Sequence, residues 1–79
     1  MTPPTIEQHA GAITLRWGVA DVPALVRYTA DEGQSWTTFG LDVMGGQLTL
    51  ARTALPAGAG RFEITLAEGV AFASVAFAP

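Results

Sequence analysis

The sequence predicts an all-β domain, a two-sheet antiparallel β-sandwich of about seven short strands. Three observations lead there. Apolar and polar residues alternate with a period of two along much of the chain, and no segment sustains the 3.6-residue period of an amphipathic helix. Turn-forming pairs, Ala10-Gly11, Gly45-Gly46 and Glu68-Gly69, punctuate that alternation. Each short run has one apolar face, which must be covered by a second sheet.

Taken in order, TIEQH (Thr5–His9) reads as a short first strand closed by Ala10-Gly11. AITLRWGV alternates cleanly, with Ile13, Leu15 and Trp17 on one face and Thr14 and Arg16 on the other. ALVRYT follows Pro23 and sets Val26 and Tyr28 against Leu25, Arg27 and Thr29. SWTTFGLDVM leads to Gly45-Gly46, and QLTLART places Leu48 and Leu50 inward. ALPAGAG, residues 54–60, reads as a loop, because Pro56 cannot donate to a central ladder. RFEITLA opposes Phe62, Ile64 and Leu66 to Arg61, Glu63 and Thr65 and is the clearest strand. In VAFASVAFA, Val70 and Phe72 are out of phase with Val75 and Phe77, which predicts a bulge or bend near Ala73-Ser74.

Seventy-nine residues give room for one core. A chain of this size buries only about 60–65 % of the surface its unfolded form exposes. Alanine supplies much of the apolar content, so the core is expected to rest on Trp17, Tyr28, Trp36, Phe39, Phe62, Phe72 and Phe77. Residues 1–4 read as a proline-stiffened linker and 5–79 as the domain, which suggests a module cut from a longer chain.

Four arginines, no lysine and seven acidic residues give a formal charge of −3. That balance offers no basic patch for a phosphate backbone and disfavours nucleic acid. It also lacks the cationic cluster of a membrane-surface helix. No apolar run approaches the ~20 residues of a spanning helix, so no membrane insertion is expected. No charged n-region precedes an apolar stretch, so no signal peptide is read within these residues. Cysteine is absent, which excludes disulfides and thiolate metal sites without fixing the compartment.

The stretch TADEGQSW, residues 29–36, fills every position of a local pattern S/T-x-D-x-G-x-T/S-W and so resembles an Asp-box, the hairpin repeated in sialidase-type propellers. Asp31 is suited to accept hydrogen bonds from the loop's own N–H groups, Gly33 to supply a positive φ, and Trp36 to fold back as an apolar lid. The motif occurs once, and a propeller needs several four-stranded blades. It therefore implies a hairpin and no sialidase chemistry.

The longer order AITLRW, ALVRYTADEGQSWTTF, QLTL, ALPAGAGRFEITLAEGV resembles a bacterial fibronectin type III or immunoglobulin-like domain across almost the whole chain. On that resemblance Trp17 is the core tryptophan of strand B. Val26 and Tyr28 belong to C, Trp36 and Phe39 to C′, Leu48 and Leu50 to E, Phe62, Ile64 and Leu66 to F, and residues 70–77 to G. Phe62 stands where many members carry a tyrosine that clasps the E–F corner, so that hydrogen bond should be missing. Glu32 replaces the usual second glycine of the turn. The resemblance implies an accessory module, a spacer or protein-binding part of a larger, secreted or cell-surface bacterial protein.

Candidate chemistry is sparse. His9 is the single histidine, so neither a zinc site nor a Ser/His/Asp set can be assembled on it. Asp31, Glu32 and Asp42 lack the spacing of a calcium loop, and Asp31 reads as a turn cap. Glu7, Glu63 and Glu68 do not gather into an acid–base pair. GGQL and AGAG lack the lysine and helix of a phosphate loop. No catalytic residue, metal or cofactor is expected, and the chain reads as a non-enzyme. Trp36 and Phe39 are the candidate binding residues, as exposed aromatics mark contact surfaces. A carbohydrate-binding module would align Trp36, Phe39 or Tyr28 on one solvent-facing sheet. A homodimer could form through an edge strand, since VAFASVAFA has no charge to guard it. Otherwise the expected partners are neighbouring domains of the parent chain or another protein.

Overall fold

The computed structural model describes residues 3–77. It is a two-sheet antiparallel β-sandwich. The strands are β1 (Thr5–His9), β2 (Ala12–Arg16), β3 (Ala24–Thr29), β4 (Thr37–Val43), β5 (Gln47–Ala51), β6 (Gly58–Leu66) and β7 (Gly69–Phe77), with one 3₁₀ turn at Arg52–Ala54. One sheet has the order β1-β2-β5 and the other β4-β3-β6-β7. The first two residues of the expected linker and the last two of the expected domain lie outside the described residues.

The alternation of β2, β3 and β6 sets the core. Ile13, Leu15 and Trp17 from one sheet face Val26, Tyr28, Phe62, Ile64 and Leu66 from the other, all buried. Leu48, Leu50, Phe39 and Val75 pack against that centre from the flanking strands. Leu55, beyond the 3₁₀ turn, inserts from the corner and is buried. Burying a large aliphatic or aromatic side chain contributes roughly 1.5–3 kcal/mol, so this small set supplies most of the cohesion.

Four expectations are corrected. β6 begins at Gly58, so the last three residues of the expected 54–60 loop belong to a strand. Gly58 to Gly60 pair with Phe77 to Val75, and Pro56 stays outside the ladder. The bulge expected near Ala73-Ser74 does not form, because β6 and β7 pair without a break from Gly58↔Phe77 to Leu66↔Gly69. The change of phase has another cause: Ala73, Val75 and Phe77 point into the core, whereas Val70 and Phe72 lie on the solvent side, 50% and 51% exposed. Phe72 is therefore not a core ring. Trp36 also lies outside the core cluster, half-buried. The bulges fall instead on β4, whose register with β3 shifts between Ala24 and Val26 and again between Val26 and Arg27. Asp42, at φ 54°, takes a left-handed conformation in the first of these.

Phe62 is fully buried against Tyr28, with ring centroids 4.7 Å apart, so it does not clasp the corner between β5 and β6. Arg52 does that work. Its Nη1 donates to the Leu55 carbonyl at 3.1 Å while its guanidinium lies 4.3 Å from the Phe77 ring.

Candidate functional site

The turn between β3 and β4 is closed by its own side chains. Ser35 donates to Asp31 twice, from its backbone N–H to Oδ1 at 2.9 Å and from its hydroxyl to Oδ2 at 2.6 Å. The Thr29 hydroxyl donates to Asp31 Oδ1 at 2.7 Å and accepts from the Gly33 N–H at 2.9 Å. Both carboxylate oxygens are thus engaged. The Ser35 hydroxyl and N–H, followed by Thr29, hold the Asp31 carboxyl down at about 2. A carboxylate so stabilised is a poor proton acceptor and a good turn fastener. Glu32 at φ 60° and Gly33 at φ 89° turn the chain in consecutive left-handed steps. The Trp36 ring lies close to Gly33, where an added Cβ would come 3.7 Å from it.

Trp36 lies on the outer side of the four-stranded sheet. The Arg27 guanidinium lies 4.6 Å from its ring centroid, and that of Arg61 5.8 Å. Arg61 also lies 5.0 Å from the exposed Phe72 ring. A row of cations and aromatics thus crosses β3, β6 and β7. Each cation–π contact contributes roughly 0.5–1 kcal/mol where solvent reaches it. Arg27 is further bound by Glu63, its register partner on β6, with Nε to Oε1 at 2.8 Å. Among the described residues no ion pair is formed by Arg61, whose Nε is buried without a hydrogen-bond partner. Beside it lies a shallow hollow lined by Thr29, Glu32, Gly60 and Ser74.

Of the two expected binding residues, Trp36 lies on this outer face, whereas Phe39 packs against the core, edge-on to Tyr28 at 6.4 Å. Tyr28 is itself buried. The aligned exposed row of Trp36, Phe39 and Tyr28 that a sugar platform requires is therefore not formed. Arg27, Arg61 and Phe72 join Trp36 instead. Sequence reasoning missed these three because each was read within its own strand. Only cross-strand register brings Arg27 beside Glu63, Glu63 beside Phe72, and Arg61 beside Ser74.

The Tyr28 hydroxyl is buried without a protein partner and sits directly over Gly60, where a Cβ would overlap it. Burial raises the Tyr28 phenol above its ordinary value, and the positive charge of Arg52 partly opposes that rise. On the other sheet, exposed His9 lies 3.4 Å from Glu7, which also pairs with Arg16. Among the described residues no three His, Cys, Asp or Glu side chains converge as metal ligands, and no helix is long and apolar enough to cross a membrane.

No family model matches the chain, and neither the curated proteins nor the solved structures contain a significant match to it.

Proposed function

We propose that this domain is a non-catalytic accessory module of the fibronectin type III or immunoglobulin-like kind, a spacer or protein-interaction unit of a larger, exported bacterial protein. The observation that carries the reading is how Asp31, the acid at the centre of the hairpin motif, is used. Both its oxygens are committed to closing the β3–β4 turn. This acid is thus a structural part of the turn.

The strand order supports the family assignment. Lettered as in the resemblance, the sheets read A-B-E and C′-C-F-G, and immunoglobulin-type sandwiches likewise keep C, F and G in one sheet and add C′ to it. The rings of Trp17, Tyr28, Phe62 and Phe77 are used to join the sheets, as befits a stiff spacer whose contacts are made through loops and edges.

A hydrolase screen of the chain beside Asp31→Ala tests the proposal. No turnover above the buffer blank is expected from either. Turnover by the native chain that disappears in Asp31→Ala would refute the non-catalytic reading.

A further inference from the structure

The four sheet edges of this sandwich are unequal. β1 carries Glu7 and His9 and follows Pro3-Pro4. β5 has only five residues and ends in the 3₁₀ turn. β4 is broken by two register shifts and by left-handed Asp42. Short length, charge, proline and bulges are the usual means of keeping an edge from pairing with another chain. β7 has none of them. Its nine residues are uncharged, contain no proline and pair with β6 without interruption, and among the described residues no strand is hydrogen-bonded to their other side. In an antiparallel ladder alternate residues direct their N–H and C=O groups away from the existing partner, so this edge presents an unbroken row of them.

The sequence of β7 also complements itself. A two-fold axis through Ala73 sets an identical antiparallel strand so that Phe72 faces Ser74, Val70 faces Ala76, Ala71 faces Val75 and Gly69 faces Phe77. Every large side chain then meets a small one, on both faces of the sheet, and Ala73 meets Ala73. A closed two-fold contact requires this kind of self-matching surface. Phe72, half exposed beside Arg61, would be covered by such a contact.

We infer that β7 is the docking edge for a second copy of this chain, joining two four-stranded sheets into one continuous eight-stranded sheet about a two-fold axis at Ala73. The inference names a partner for the module proposed above, but its geometry does not depend on that reading.

Sedimentation velocity and light scattering of the native chain across a concentration series test it, with two double variants that put like charges opposite one another in this register. The native chain is expected to form a dimer with concentration. Phe72→Lys with Ser74→Lys, and Phe72→Glu with Ser74→Glu, are each expected to be monomeric. An equimolar mixture of the two is expected to regain a dimer, because lysines then face glutamates. Such rescue also excludes misfolding as the cause of the loss. A native chain that stays monomeric at millimolar concentration overturns the inference. So does a dimer that both double variants retain, or a mixture that stays monomeric. Hydrolytic turnover would refute the non-catalytic reading and leave this result untouched.

Discussion

The two faces of the four-stranded sheet are built from alternate residues of the same strands, yet they obey different rules. The inner face is closed: Val26, Tyr28, Phe62, Ile64 and Phe77 are buried, and its tolerance for volume is small. The outer face is open and mixed, with Arg27 bound to Glu63, Arg61 held near two rings, and Phe72 half in water. Aromatic content alone therefore does not locate the core of a small sandwich. Parity along the strand does, and the outer rings are free for other work.

The division of the faces is tested most severely by truncating one phenylalanine on each. Phe62→Ala is expected to cost about 3–5 kcal/mol, by lost burial and the cavity left behind. Phe72→Ala, on the neighbouring strand, is expected to cost less than about 1 kcal/mol, the size of an exposed cation–π contact. Urea titrations under dilute, monomeric conditions read both, and equal costs would refute the division of faces. Next comes the tight approach at Gly60. Gly60→Ala is expected to destabilise by about 1–3 kcal/mol through overlap with the Tyr28 hydroxyl and ring edge and crowding by the Thr29 carbonyl. In a Tyr28→Phe background that cost should shrink only in part, because the ring edge and the Thr29 carbonyl still crowd the added Cβ, and an unchanged cost in the double-mutant cycle would assign the obstacle to them rather than to the hydroxyl.

Smaller effects are expected where the chain turns from β3 to β4. Glu32→Gly should stabilise the domain by about 0.5–1 kcal/mol, because a left-handed residue with a Cβ costs more than glycine loses in unfolded-state entropy. Thermal melts of the two proteins would reveal the sign. At the same turn, the folded-state pKa of Asp31, about 2, lies below the ordinary value of an unfolded aspartate, about 3.9. The stabilisation it gives is therefore complete above that unfolded value and is lost as the pH falls from about 4 towards 2. Asp31→Asn should flatten this part of the acid profile, and a variant that still loses stability equally over that range would assign the effect elsewhere.

The sheets themselves were legible because strand parity is a local property. Thr5–His9 has the bounds its pattern suggests, and Ile13, Leu15 and Trp17 face inward as their spacing requires. β4 was harder to read, since Gly40 and Asp42 carry bulges that depend on which residues of β3 lie opposite. The end of the chain misled for a related reason. A phase change within one strand looks like a bulge, but an edge strand can also carry apolar residues on each face in turn, and β7 does so. The outer cluster was invisible because its members meet only through pairings such as Arg27 with Glu63, 36 positions apart.

Those distant pairings also govern how the molecule is made. The sheets close only when Thr14 reaches Thr49, 35 positions away, and Arg27 reaches Glu63, 36 away. The loop entropy lost in such closures puts all-β domains of this kind in the range of milliseconds to seconds for folding. The β6–β7 hairpin needs no such closure and can form within about 1–10 μs. While the sandwich is incomplete, the hairpin's uncharged outer edge is transiently formed, and capture by another unfinished chain is the hazard that slow maturation creates.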